Sequence, residues 1–139
     1  MPDHAPLPCY RDTVRAEWVD YNGHLRDAFY MLIFSFATDA LIDVIGLPDP
    51  VRKERGRSIY TLEAHINYLH EIKEGAQVRV DMRVLGHDAK RLHLYLEMFA
   101  DDGAEPVAAG MAMPLRMAFS ARDDRRREGI FRWLHLVPR

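Results

Sequence analysis

The chain has little of what would tie it to an oxidising compartment, a membrane or a nucleic acid. One cysteine, Cys9, stands among 139 residues, which excludes an internal disulfide and fits a reducing compartment. The longest apolar run, Ala28 to Phe34, falls far short of the ~20 residues that a membrane span needs. The N-terminal residues lack the basic start and apolar middle of a secretory signal, so a cytoplasmic protein is expected. Charge of either sign is in no excess: the net value is -2, and no basic stripe with interleaved aromatics marks a nucleic-acid surface. No glycine-rich phosphate loop appears, and the histidines are too scattered for a metal set. Neither metal nor cofactor is expected.

What is present reads as one domain over residues 1–139, with a core of about 10–119 and a tail of 120–139. The first residues form an extended arm, and Thr13 to Val19 is β-prone enough to predict a first strand. Tyr21-Asn22-Gly23 is a turn signal, since Asn and Gly accept positive φ at low cost. Asp27 is placed to cap a helix from about Ala28 to Ile45, stopped by Gly46 and Pro48. The first two turns of that helix are apolar all round, which predicts burial on every side. Thr38, Asp39 and Asp43 predict that its far end reaches solvent.

From Ser58 the period changes to two. Ser58 to Leu69 alternates Tyr60, Leu62, Ala64, Ile66 and Tyr68 with Thr61, Glu63, His65 and Asn67. Val78, Val80, Met82 and Val84 alternate with Arg79, Asp81 and Arg83. Gly86-His87-Asp88 then predicts a hairpin turn before Leu92, Leu94, Leu96 and Met98. Asp101-Asp102-Gly103 predicts another, before a strand from about Pro106 to Phe119. Pro114 lies inside this last strand, and a missing N–H there means an edge or a bulge. The class is α+β: one helix and an antiparallel meander.

The run Glu17-Trp18-Val19-Asp20-Tyr21-Asn22-Gly23-His24 carries the chemistry. It places a carboxylate, a carboxamide and an imidazole in a short turn just before a helix start. Unpaired N–H groups and a partial positive charge at such a start suit a developing oxyanion. Asp20 nearby supplies a nucleophile or base, which points to acyl transfer.

One apolar helix wrapped by a curved antiparallel sheet resembles the hotdog fold. Asp20-Tyr21-Asn22-Gly23-His24 resembles the active-site loop of the 4-hydroxybenzoyl-CoA thioesterase-type family. With Thr61-Leu62-Glu63-Ala64-His65-Ile66-Asn67-Tyr68-Leu69, the run is similar to the betainyl-CoA thioesterases of bacterial carnitine breakdown. The likeness covers roughly residues 10 to 100; the tail from Ser120 to Arg139 has no counterpart in it.

The resemblance implies an acyl-CoA substrate, hydrolysis of its thioester, and a homodimer or homotetramer with active sites at subunit interfaces. Asp20 would attack the carbonyl or activate water, with a backbone N–H near Asp27 as oxyanion donor. The plainer reading of Asp20 is a turn cap. Asn22 would hold the loop or position water, and His24 would orient Asp20 or touch the thioester. Glu63, His65 and Asn67 form a polar row on what is expected to be a central strand. Such a row either opens on a partner's Asp20 loop or is the solvent face of the sheet. Trp18 and Tyr21 are the candidates to cage a trimethylammonium group, and Tyr68 adds a further ring. Lys90 and Arg91, with Arg57, are candidates for the CoA phosphates. The competing readings are a thioesterase for another short or aromatic acyl group, a hydratase on the same fold, and a non-catalytic acyl-CoA-binding module.

Overall fold

The computed structural model describes residues 10–44, 58–87 and 91–118. The chain enters as strand β1, Tyr10–Thr13, rather than the expected strand over Thr13–Val19. β1 pairs antiparallel with a later strand, and the Val14 N–H continues the ladder to the Ala76 carbonyl at 2.9 Å. The chain then tightens into a 3₁₀ turn, Ala16–Trp18, which drops the indole of Trp18 into the core at 4% exposure. Burial of a large ring overrides the β propensity of the segment.

Helix α1 runs Asp27–Val44. Its Asp27 Oδ1 accepts the Ala28 N–H at 2.9 Å, so the residue expected to cap the helix does hold an N–H at its start. Ile45, Gly46 and Pro48 lie outside the described residues. The helix is not buried on every side. Tyr30, Ile33, Phe34, Ala37, Leu41 and Ile42 form its covered stripe, while Phe29, Met31 and Leu32 are only half-buried. Asp39 and Asp43 are exposed as expected; Thr38 is not, because its hydroxyl donates to the Phe34 carbonyl at 2.9 Å inside the core.

Strands β2 (Ser58–Tyr68), β3 (Gln77–His87), β4 (Arg91–Ala100) and β5 (Ala108–Ala118) complete one antiparallel sheet in the order β1-β3-β4-β5-β2. The period-two pattern places its apolar halves as expected. Val78, Val80, Met82 and Val84 of β3, with Leu92, Leu94, Leu96 and Met98 of β4, are all buried against the stripe of α1. This is the α+β hotdog arrangement, one long helix against an antiparallel sheet. Among the described residues no helix is long and apolar enough to cross a membrane.

Of three local expectations one changes and two hold. Gly86 and His87 belong to β3, paired with His93 and Leu92, rather than to the expected hairpin turn, and Asp88 lies outside the described residues. Asp101-Asp102-Gly103 is a turn, with Asp101 and Asp102 at φ 50 and 59, values that Asp tolerates better than most side chains. Pro114 resolves as a bulge in an interior strand. Leu92 pairs with Leu115 and Leu94 with Ala112, so β5 advances farther than β4 across the proline.

The largest correction concerns β2, which is the edge of the sheet and not a central strand. It is held by β5 through pairs from Ser58↔Ala118 to Tyr68↔Ala108. Gly110 of β5 permits the close approach beneath α1. A Cβ at that position would sit 3.2 Å from Phe34 Cε2 and 3.3 Å from the His65 carbonyl oxygen.

Candidate active site at the start of the helix

The turn from Asp20 to His24 is closed by its own backbone. The Asp20 N–H donates to the His24 carbonyl at 2.8 Å, and the Gly23 N–H to the Asp20 carbonyl at 2.9 Å. Gly23 takes φ +75, the left-handed conformation that its residue type admits without strain. Flanking bonds pin the turn in place: Arg26 N–H to the Trp18 carbonyl at 3.0 Å, Leu25 N–H to Ile72 at 2.8 Å, and Glu74 N–H to Gly23 at 3.1 Å.

Asp20 serves this turn with one oxygen. Its Oδ1 accepts the Asn22 N–H at 2.8 Å and the His24 N–H at 3.2 Å. Among the described residues Oδ2 has no protein partner, so the carboxylate caps the turn and still presents an oxygen. The His24 N–H bond above all, then that of Asn22 and the nearby charges of His24 and Arg26, hold the Asp20 carboxyl below the usual range against an opposing effect of desolvation. It is therefore an ionised carboxylate at neutral pH, suited to attack or to accepting a proton from water.

The His24 imidazole does not reach back to Asp20. Its Nδ1 lies 3.2 Å from Glu71 Oε2, while its backbone bridges to Lys73. His24 thus orients Asp20 through its main chain, and its ring belongs to a pair with Glu71.

A cleft of about 270 Å³ opens at the start of α1, lined by Leu25, Asp27, Tyr30, Tyr68, Leu69, His70 and Glu71. Tyr68 donates its hydroxyl to the Asp27 carbonyl at 3.3 Å, and its ring meets that of Tyr30 edge-on at 5.2 Å. Tyr30 is buried and donates to the His70 carbonyl at 3.2 Å; desolvation raises its pKa, so it stays a neutral phenol. His70 in turn faces Glu105, Nε2 to Oε2, at 3.9 Å.

The sequence-based candidates divide among several places. Asp20, Asn22 and His24 share the turn; Asp27 and Tyr68 share the cleft. Trp18 is core rather than cage, stacked on Phe29 at 6.0 Å with the Arg15 guanidinium 4.7 Å from its ring centroid. A ring so covered has no face for a ligand cation. Tyr21 is 94% exposed and does not line the cleft. Glu63 and His65 pair with each other at 2.9 Å, and with Asn67 they lie on the face of the sheet turned away from α1. They do not meet Asp20 within this chain. Arg91 is described only as backbone in β4, and Lys90 and Arg57 lie outside the described residues, as does the tail of 120–139.

Leu25, Tyr30, Leu69, His70 and Glu71 are cleft residues that the sequence reading did not select. The one available signal was the break in alternation at Leu69-His70-Glu71, where β2 ends.

A model of the thioesterase-like superfamily matches residues 14–128. A betainyl-CoA thioesterase of Pseudomonas aeruginosa is 50% identical over 112 residues, covering 81% of this chain and 70% of that protein. A bifunctional L-carnitine dehydrogenase/betainyl-CoA thioesterase of Agrobacterium fabrum is 44% identical over 81% of this chain, which spans only 23% of that longer protein. A Staphylococcus aureus protein solved in complex with CoA superposes with a TM-score of 0.83 at 26% identity, over 98% of this chain and 88% of that one.

Proposed function

The chain belongs to the thioesterase-like superfamily, and from that premise we propose that it hydrolyses acyl-CoA thioesters, betainyl-CoA foremost, to the free acid and CoA. For betainyl-CoA the acid is glycine betaine. Relatives whose names join this activity to an L-carnitine dehydrogenase support a place in carnitine breakdown.

The observation that carries the reading is the divided use of Asp20, one oxygen bound to its own turn and the other open, just ahead of a helix start. Oδ2 attacks the thioester carbonyl or takes a proton from the water that does. The carbonyl oxygen becomes an oxyanion, stabilised by a backbone N–H at the start of α1 near Asp27; one such donor lowers a barrier by about 2.7–4 kcal/mol. The C–S bond then breaks and CoA leaves as the thiol with a proton from water. Where water attacks, its hydroxyl oxygen ends on the acid; where Oδ2 attacks, a water then cleaves the acyl–aspartyl anhydride to the acid and restores the Asp20 carboxylate. Water and the ester balance the reaction, so no cofactor is called for. CoA chemistry and a lone cysteine support a cytoplasmic location.

Assembly as a homodimer or homotetramer is part of this reading. It is supported by the edge of β2, unpaired among the described residues, and by Phe29, Met31 and Leu32, which are half-covered. Glu63, His65 and Asn67 enter the chemistry only through such an assembly, if one copy brings them to another copy's loop.

The test is thiol release from betainyl-, short acyl-, long acyl- and 4-hydroxybenzoyl-CoA. Turnover of betainyl-CoA ahead of the others supports the reading. Turnover of a different ester moves the head group, and binding without turnover overturns hydrolysis.

A further inference from the structure

Resting on the betainyl-CoA reading, we propose that Tyr68 and Glu71 form the subsite for the quaternary ammonium group of the acyl moiety, with Tyr30 and the Asp27 carbonyl holding the Tyr68 ring in place. The subsite replaces Trp18 and Tyr21, whose positions do not suit a cage.

Location is the first argument. In a betainyl thioester a single methylene separates the cation from the reacting carbonyl carbon. A head-group site must therefore adjoin the oxyanion donor. The cleft does so: Asp27, at the start of α1, is in its lining, and Tyr68 is bonded to the Asp27 carbonyl at 3.3 Å. Its volume of about 270 Å³ lies just under the ~300–1,000 Å³ of sites for larger ligands, which suits a short, compact acyl group.

Charge is the second. Among the described residues the cleft is lined by two acidic residues, Asp27 and Glu71, and by one histidine, with no lysine or arginine. Among the described residues the basic group that Glu71 contacts is the His24 imidazole, which carries charge only when protonated. His70, the histidine of the lining, faces Glu105. A cation is thus favoured in this cleft, and an anionic acyl group is opposed.

The third is the ring itself. Tyr68 is 52% exposed, so its π-surface is available, and three features fix it: β2 pairing with Ala108, the hydroxyl bond to Asp27, and the edge-on contact with buried Tyr30. A pre-positioned ring beside a carboxylate is what a methylated ammonium, which cannot donate hydrogen bonds, requires.

The experiment compares kcat/KM for betainyl-CoA with that for tert-butylacetyl-CoA, in which carbon replaces the charged nitrogen at almost unchanged shape. A cation–π contact on the half-exposed Tyr68 ring together with the Glu71 carboxylate predicts a KM about tenfold lower for the charged ester, a readout separate from the inductive activation of its carbonyl. Glu71→Gln and Tyr68→Leu should each lower the ratio about threefold or more from its wild-type value, while Tyr68→Phe, which keeps the ring, should retain it. Thermal melts of each variant show that the ratio is read on folded protein, and Glu71, with its side chain 77% exposed, is a site where substitution leaves the fold intact. A ratio unchanged from wild type in both Glu71→Gln and Tyr68→Leu overturns the subsite and leaves hydrolysis standing. A wild-type enzyme that turns over only other thioesters overturns the betainyl reading and the subsite with it.

Discussion

The hydroxyl of Tyr68, on the last residue of β2, donates to the main-chain carbonyl of Asp27, the first residue of α1, across 3.3 Å. The bond ties the edge of the sheet to the helix start, and with Tyr30 behind it the pair forms one wall of the cleft. Removing the hydroxyl with Tyr68→Phe should lower stability by roughly 0.5–1.5 kcal/mol in urea unfolding, the usual worth of one hydrogen bond. A much larger loss would mean that the ring had moved out of its packing with Tyr30.

Asp20→Asn separates the two duties of that residue. The amide keeps a carbonyl oxygen to accept the Asn22 and His24 N–H groups, so the turn and the melting temperature should survive. Loss of the charged oxygen should lower kcat by about 10²–10⁴-fold, the range for a lost acid–base group. Near-normal turnover in a folded Asp20→Asn enzyme would leave Asp20 as a turn cap alone.

The Asp20 carboxyl is held below its ordinary value, chiefly by the His24 N–H, so it should stay ionised into acid that protonates ordinary aspartates. The sign follows: its bonds favour the folded state above the unfolded-state value, and that contribution is lost as pH falls through the lower folded-state value. Carbon NMR titration of the Asp20 carboxylate should give a midpoint below ~3.9. A midpoint above that value would contradict the bonding seen in the turn.

Gly110 is required by distance rather than by φ. Gly110→Ala would place a methyl carbon 3.2 Å from Phe34 Cε2 and 3.3 Å from the His65 carbonyl, and a backbone atom cannot yield as a side-chain tip can. The expected cost is about 1–3 kcal/mol by denaturant unfolding, as for other overpacked sites. An unchanged midpoint would show that α1 can ride outward without loss.

The sequence by itself determined the elements whose signal is local. The period-two runs of β3 and β4 put every second residue in the core because successive side chains leave opposite faces of a strand. The Asn22-Gly23 turn, Asp27 at the helix start and the Asp20 loop were legible for the same reason: each depends on residues within a few positions. Tertiary structure alone decided which strand lies at an edge. Alternation is identical in an edge and a central strand, so it set Glu63, His65 and Asn67 opposite the apolar face without showing that β2 lies at the edge of the sheet. It also decided that Trp18 is core and that His24 turns to Glu71, because burial and pairing join residues far apart in the chain. The cleft belongs to that second class. Tyr30 on a helix, Tyr68 on a strand and Glu71 in the loop after it meet only when sheet and helix pack, and no pattern of sequence spacing encodes that meeting.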